Sequence, residues 1–185
     1  MQKTGKLELT WVGKYDEPSV EPRILLEDKS KSYGDPTSEN MLIHGDNLIA
    51  LQALQQDFAG KVKCIYIDPP YNTGSAFEYY DDGLEHSKWL QMMYRRVQLL
   101  HELLSDEGFL CCHIDDSESH YLKCVLDEVF GRGNYLTTFY IQVRYPNKTL
   151  AEDSDYQKVI EQILIYAKDR YKAKVNRPTE EYSIE

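Results

Sequence analysis

The stretch Val62-Lys63-Cys64-Ile65-Tyr66-Ile67-Asp68-Pro69-Pro70-Tyr71 carries the strongest structural signal in the chain. The residues before Asp68 are rich in β-branched and aromatic side chains, which predicts a short strand. Two consecutive prolines cannot continue a central strand, because proline has no backbone N–H to donate. We therefore expect the chain to leave the sheet at Asp68, in a turn stiffened by the fixed φ angles of the prolines.

The segments on both sides of this strand alternate between extended and helical patterns. Upstream, the apolar run Met41-Leu42-Ile43-His44 predicts a strand, and Asp46 is placed to cap the helix that follows it. Downstream, apolar residues spaced three or four apart predict a helix that opens at Ser87. The run Phe109-Leu110-Cys111-Cys112-His113-Ile114 has almost no alternation, which is typical of a strand covered on both faces.

The second half of the pattern completes the predicted fold. Asp115 and Glu118 have the spacing of a capping box at the start of a further helix, which Gly131 is expected to stop. Alternation with period two then predicts a strand over 138–145, which could pair with a second run at 159–167. This order of elements predicts an α/β fold, with an open, mostly parallel Rossmann-like sheet and flanking helices.

Composition and charge limit the classes of protein that fit. The chain has 185 residues, enough for one domain with its own core, and it divides into an irregular arm at 1–40, a regular α/β part at 41–170 and a charged tail at 171–185. With 21 basic and 31 acidic residues, the net charge is −10. If the protein binds nucleic acid, we therefore expect most of the basic residues that contact the phosphates to lie outside this chain. Neither an apolar run of roughly 18 residues nor a signal-peptide pattern occurs, which favours a cytoplasmic protein without a membrane partner.

The Asp68-Pro69-Pro70-Tyr71 turn also carries the clearest chemical signal. The prolines would hold a carboxylate and backbone carbonyls as acceptors, and Tyr71 adds an aromatic face for a flat ring. This combination suits the exocyclic amine of a nucleobase, a poor nucleophile that a site assists by orienting it toward an electrophile. The alternatives are a merely rigid turn or an exposed polyproline-type peptide ligand. The preceding strand and the following helix favour the chemical interpretation.

Several segments, taken in order, resemble one known family. That family is the amino-methyltransferases that modify DNA bases with S-adenosylmethionine, and the order is similar to the permuted (β-type) branch, which includes modification subunits of type III restriction systems. The resemblance covers roughly residues 10–170. The segments are Leu42-Ile43-His44-Gly45-Asp46-Asn47-Leu48, Asp68-Pro69-Pro70-Tyr71-Asn72, Trp89-Leu90-Gln91-Met92-Met93, His113-Ile114-Asp115-Asp116 with Glu118, Phe130-Gly131, and Ile163-Leu164-Ile165-Tyr166-Ala167-Lys168.

The resemblance implies an adenine-N6 methyltransferase acting on double-stranded DNA. The target adenine would be flipped out of the duplex, because a stacked base cannot be reached. Within the catalytic motif Asp68-Pro69-Pro70-Tyr71, the Asp68 side chain and the Pro69 carbonyl would accept from the adenine amine. Tyr71 would stack on the base, with Asn72 beside it. Asp46 and Asp68 would contact S-adenosylmethionine, and no metal is implied. The partners to consider are a restriction subunit and a second copy of the chain.

One departure from the family pattern leaves alternatives open. The family's glycine-rich cofactor loop is expected beyond Glu185, and Phe130-Gly131-Arg132-Gly133 is better explained as a helix end. The fold is therefore expected to be incomplete at its carboxyl-terminal side, as in the amino-terminal part of a larger enzyme. The rival hypotheses are a truncated or degenerate methyltransferase that acts as a binding module, and a Mg²⁺-dependent nuclease with Asp68 and Asp115 as ligands. A zinc site at Cys112, His120 and Cys124 is less consistent with their positions than packed thiols are.

Overall fold

The computed structural model describes residues 8–16, 23–35, 37–72, 85–143 and 158–176. The predicted strand at 62–67 is present, and it ends directly before Asp68, where the prolines begin. The predicted loop between Asn72 and His86 lies mostly outside the described residues. The helices and strands are α1 (Asn47–Phe58), β1 (Val62–Ile67), α2 (His86–Leu103), β2 (Leu104–Ile114), α3 (Ser119–Leu126), β3 (Tyr135–Gln142) and β4 (Ile160–Ala167).

The strands form one sheet with the order β1-β2-β4-β3. β1 and β2 are parallel, with Tyr66 opposite Cys111, and the helix α2 makes the crossover between them. β4 is antiparallel to both of its neighbours, with Ile163 between His113 and Phe139. The α/β class and the flanking helices are confirmed, as is the pairing of β3 with β4. Within the described residues the sheet is mixed, because the β3–β4 hairpin introduces antiparallel pairs.

The predicted strand at Met41-Leu42-Ile43-His44 is not formed. These residues have no regular secondary structure, and Leu42 is 99% exposed. A strand needs a neighbour for its backbone hydrogen bonds, and β1 is the edge of the described sheet on that side. The helix after it is confirmed, since Asp46 accepts hydrogen bonds from the backbone nitrogens of Leu48 at 2.9 Å and Ile49 at 3.2 Å.

The core lies between one face of the sheet and the helices α2 and α3. The apolar residues of α2 line this layer at the predicted helical spacing, and Trp89 is completely buried. On β2, Leu110, Cys112 and Ile114 face the core, whereas the alternate residues are only partly buried. The strand expected to be covered on both faces is therefore fully buried on one face and partly buried on the other within the described part of the chain. No helix in that part is long and apolar enough to cross a membrane.

The predicted capping box at Asp115 and Glu118 is also not formed. The Asp115 carboxylate accepts from the backbone nitrogen of Ser117 at 2.9 Å, and α3 begins only at Ser119. Glu118 precedes the helix without capping it, because its carboxylate is bound to side chains from other elements. The end of the helical segment is as predicted, since a wide turn closes it at Gly131, which has a φ of 84°.

Residues 8–16 pack against the outside of α2. Trp11 donates through its indole nitrogen to the Gln91 side chain at 3.0 Å. Lys14 is 1% exposed and forms ion pairs of 2.8 Å with both Glu8 and Glu128. This buried lysine ties the segment to the end of α3 on the helical side of the domain.

Candidate active site

Acidic side chains collect at one end of the sheet. β1 and β2 are parallel and both finish there, while the antiparallel β4 begins there. Asp68 follows β1, Asp115 follows β2, and Glu161 is the second residue of β4. The carboxyl ends of parallel strands are where α/β sheets usually bind ligands. We therefore take this acidic end of the sheet as the candidate active site.

The Asp68-Pro69-Pro70-Tyr71 turn is held in place by the core. The indole nitrogen of the buried Trp89 donates to the Pro70 carbonyl at 2.8 Å. This hydrogen bond ties the turn to α2, so the turn is fixed by the proline rings and by the domain interior together. The residue Asp68 itself is exposed. The turn thus presents an accessible carboxylate on a rigid support.

Tyr71 points back across the sheet end. Its hydroxyl donates to Oε2 of Glu161 at 3.2 Å, and the Asp68 carboxylate is close enough to act on it. Burial, together with the nearby charges of Asp68 and Glu161, raises the pKa of the Tyr71 hydroxyl above its ordinary value. The phenol therefore remains a hydrogen-bond donor at neutral pH. Its ring is half-buried, with its centroid 6.1 Å from that of His113.

His113 extends this network toward the open face of the sheet. Its Nε2 lies 2.9 Å from Oε2 of Glu161, the oxygen that Tyr71 also reaches. Its Nδ1 lies 2.9 Å from the Tyr66 hydroxyl on the neighbouring strand. The side chains of His113 and Glu161 are largely buried, so these contacts are well shielded from solvent. Polar side chains from β1, β2 and β4 thus lie in contact with one another along this end of the sheet.

Glu118 organises the other side of the turn. It is 4% exposed, and its Oε1 accepts from the Asn72 amide at 2.8 Å. The same oxygen lies 2.9 Å from Nδ1 of His86, the first residue of α2. Asn72 has a φ of 59°, a left-handed conformation that asparagine tolerates better than most residues. A buried carboxylate therefore joins the turn to the starts of α2 and α3.

The remaining acidic pair is neutralised by a lysine. Asp115 is buried and forms an ion pair with Lys158, which also lies 3.0 Å from Asp116. Hydrogen bonding to Lys158 is the main cause of the lowered pKa of Asp116. Within the described residues, no group of three or more His, Cys, Asp or Glu side chains is arranged to hold a metal. In the nuclease hypothesis Asp115 is a Mg²⁺ ligand, but here its carboxylate binds Lys158 and the backbone nitrogen of Ser117.

Asp46 lies at the start of α1, apart from the network around Tyr71. Its carboxylate caps the helix, and the next residue, Asn47, accepts from Arg96 Nε at 2.6 Å. Burial lowers the pKa of Arg96, and the charge of Asp46 opposes this effect. The structure thus places Asp68 and Tyr71 in one turn, joins Asn72 to Glu118, and places Asp46 beside Arg96.

Sequence reasoning missed two members of the site. Glu161 lies in a predicted strand, and His113 lies in an apolar run, so neither was a candidate. For Glu118, the sequence predicts a helix cap and a place in a family segment, but not its contact with Asn72. A signal for all of them existed, because each is an ionisable residue inside or beside an apolar segment. Such residues are rarely buried unless they are paired.

The fold and the site together define an α/β domain with a rigid acidic turn at the carboxyl end of its parallel strands. Residues 62–185 match the DNA methylase family, and the chain belongs to that family. The stretch from β1 onward, with the Asp68 turn at its start, therefore corresponds to the family domain.

Two curated relatives show how much of a longer protein this chain represents. The probable type III restriction-modification enzyme HindVI Mod subunit of Haemophilus influenzae is 39% identical over 151 residues, covering 81% of this chain and 20% of that protein. The type III restriction-modification enzyme StyLTI Mod subunit of Salmonella typhimurium is 38% identical over 180 residues, covering 82% of this chain and 26% of that protein. The chain thus spans between a fifth and about a quarter of the length of these relatives. Among solved structures, the M1.HpyAVI-SAM complex aligns with a TM-score of 0.48 and 18% identity, over 77% of this chain and 61% of that one.

Proposed function

We propose that the protein is a site-specific DNA adenine-N6 methyltransferase, the modification subunit of a type III restriction-modification system. The observation that carries this proposal is the exposed Asp68 carboxylate beside Tyr71, in a turn that Trp89 fixes to the core. Family membership and the Mod subunits among the relatives support the same activity.

S-adenosylmethionine is the proposed methyl donor, held by Asp46 and Asp68. The residues at this end of the sheet fit S-adenosylmethionine. The carboxylates of Asp68 and Glu161 would attract its positively charged sulfonium and ammonium groups. When bound, the cofactor supplies an electrophilic methyl group. The acidic character of this end of the sheet is therefore a physical argument for a cationic ligand, independent of the family assignment.

The target base is proposed to be an adenine flipped out of double-stranded DNA. The Asp68 carboxylate and the Pro69 carbonyl would accept the two hydrogens of its amine and orient the nitrogen toward the methyl group. The next carbonyl, on Pro70, already accepts from Trp89. Tyr71 would stack on the ring, with Asn72 beside it. No covalent intermediate with the protein is needed.

The net charge of −10 bears on how DNA is held. Duplex binding normally depends on basic residues that neutralise phosphates. We infer that much of this contact comes from outside these 185 residues, in keeping with the share of the relatives that the chain spans. A restriction subunit and a second copy of the protein are the proposed partners, and the cytoplasm is the proposed location of the reaction.

The proposal is tested by incubating purified protein with S-adenosylmethionine and unmethylated plasmid DNA, and analysing the nucleosides by mass spectrometry. We expect N6-methyladenine at a defined sequence. N4-methylcytosine instead would overturn the assignment of the base. Calorimetric binding of S-adenosylmethionine without any methylated base would favour a non-catalytic module, and the absence of both binding and transfer would reject the function.

A further inference from the structure

We propose that Glu161 is a positioning residue that holds the Tyr71 hydroxyl and so leaves the Asp68 carboxylate available to the substrate amine. This inference rests on the proposed function. It assigns a role to an acidic side chain of β4, far in sequence from the Asp68 turn. The observation that carries it is the hydrogen bond of the Tyr71 hydroxyl to Glu161 at 3.2 Å, in the same turn as the exposed Asp68 carboxylate.

The geometry sets up a competition for a single proton. The Tyr71 hydroxyl has one hydrogen, which it donates to Glu161, and Asp68 lies three residues earlier in the same turn. An ionised carboxylate can only accept hydrogen bonds. The Tyr71 hydroxyl is therefore the donor in a hydrogen bond with either carboxylate. A hydroxyl that donated to Asp68 would take up part of the acceptor capacity that the proposed reaction needs for the adenine amine.

The surroundings of Glu161 favour its hydrogen bond with Tyr71 over one between Tyr71 and Asp68. Its side chain is largely buried, and its Oε2 lies 2.9 Å from His113 Nε2, so the carboxylate is fixed in place. His113 is in turn fixed by Tyr66, whose hydroxyl lies 2.9 Å from Nδ1. Asp68, by contrast, is exposed and can exchange its partners with solvent and substrate. When the amine arrives at Asp68, the Tyr71 hydroxyl retains a buried, charged acceptor.

Replacing Glu161 should therefore weaken substrate binding more than the chemical step. In Glu161→Gln the acceptor is uncharged, so the Tyr71 hydroxyl turns to the ionised Asp68. A hydrogen bond that competes with the amine for a charged group predicts a rise in KM for DNA of roughly tenfold or more. Turnover at saturating DNA should change much less. A fall in kcat with an unchanged KM would overturn the proposal.

A double-substitution cycle separates positioning from a structural role. In a Tyr71→Phe background no hydroxyl competes for Asp68, so the further change Glu161→Gln should leave KM for DNA unaltered. An equal rise in KM in both backgrounds would mean that Glu161 acts through general structure, and it would overturn the proposal. Glu107→Gln is the matched control, because Glu107 is an exposed carboxylate on β2 whose contact is Lys174 at 3.5 Å.

A measurement without activity distinguishes this inference from the proposed function. With ¹³Cζ-labelled tyrosine, the Tyr71 resonance is identified by its loss in Tyr71→Phe. Glu161→Gln should shift that resonance at neutral pH, because the phenol changes its acceptor, whereas Glu107→Gln should not. An unmoved resonance would refute the role of Glu161 even in an active enzyme. A shifted resonance in a protein that neither binds S-adenosylmethionine nor methylates DNA would reject the function alone.

Discussion

The polar side chains at the two ends of the β2–β4 pair have different partners, mainly backbone atoms at one end and other side chains at the other. Where β2 begins and β4 ends, Lys168 donates through its ammonium to the His101 carbonyl, and its backbone nitrogen donates to Gly108 O at 2.9 Å. Asn134 adds donations to the backbone carbonyls of Phe130 at 2.7 Å and Lys168 at 3.3 Å. These groups satisfy main-chain atoms that folding would otherwise leave without partners.

At the other end, side chains bind side chains. Glu161 contacts Tyr71 and His113, and Glu118 contacts Asn72 and His86. Bringing several carboxylates together costs stability through repulsion and desolvation, and the carboxylates of Glu118 and Glu161 contact side chains here. Such local conflicts are typical of functional sites, whose cost is offset elsewhere in the fold. The contrast predicts that substitutions at the acidic end alter activity, whereas those at the opposite end alter stability.

Asp68→Ala should have the largest effect of all. Because Asp68 is exposed, removing its carboxylate leaves the core intact, and the melting temperature should stay within a degree or two. Loss of a preorganised group at the reacting amine typically lowers turnover by about 10²–10³-fold or more. Methyl incorporation into DNA measures turnover, and calorimetry checks the fold. A variant that retains wild-type turnover would remove Asp68 from the mechanism.

Asn134→Ala should show the reverse pattern. Its amide donates to two backbone carbonyls and its Oδ1 accepts from the backbone nitrogen of Arg170 at 3.0 Å. Leaving these groups without their partner should lower the free energy of unfolding by about 1–3 kcal/mol, as measured in urea. Methyl transfer per folded molecule should be unchanged. If activity fell while stability held, the division between the two ends would be wrong.

Glu118→Gln sharpens the comparison within the acidic end. The amide keeps the shape of the side chain and one acceptor oxygen for Asn72 or His86, but it removes a buried charge. Replacing a buried ionised group is often neutral or stabilising. The free energy of unfolding should therefore stay the same or rise by about 1 kcal/mol. Turnover should fall about tenfold, since the turn beside Asn72 loses its charged anchor. A large loss of stability would instead mark Glu118 as a structural residue.

The difference between the two ends also explains what the sequence could predict. Strand β1, its end at Asp68 and the Asp46 cap follow from local rules, because each depends on residues within a few positions. The hairpin of β3 and β4 follows from alternation. The contact between Tyr71 and Glu161 joins residues 90 positions apart, and no local pattern encodes it.

The errors have the same physical origin. Leu42 and its neighbours have the composition of a strand, but strand formation depends on a partner, which composition does not supply. Asp115 and Glu118 have the spacing of a capping box. In the structure, however, the Asp115 carboxylate pairs with Lys158, and the Glu118 carboxylate contacts His86 of α2. In the first case the partner that the local signal needs is absent from the described sheet, and in the second the tertiary structure supplies other partners.

The smallest predicted effect is a pH dependence at the structural end. Burial, with a further contribution from the Lys168 charge, lowers the pKa of His101, whose ring lies edge-on to Phe130 at 4.8 Å. The unfolded chain, with an ordinary histidine pKa near 6.5, therefore binds a proton more readily than the native state as the pH falls. His101 should then contribute no loss of stability above about pH 7.5 and a progressive loss as the pH falls through about 6.5.

Urea unfolding of the wild type and of His101→Gln, measured between pH 8 and pH 5, isolates this contribution. The glutamine retains a side-chain acceptor for the Lys168 ammonium, which lies 3.2 Å from His101 Nδ1, but it does not titrate. We expect the stability difference between the two proteins to shift in favour of His101→Gln as the pH falls. A constant difference would show that His101 is protonated equally in both states. Methyl transfer by the variant should match the wild type at every pH, because His101 lies at the end of the sheet opposite Asp68.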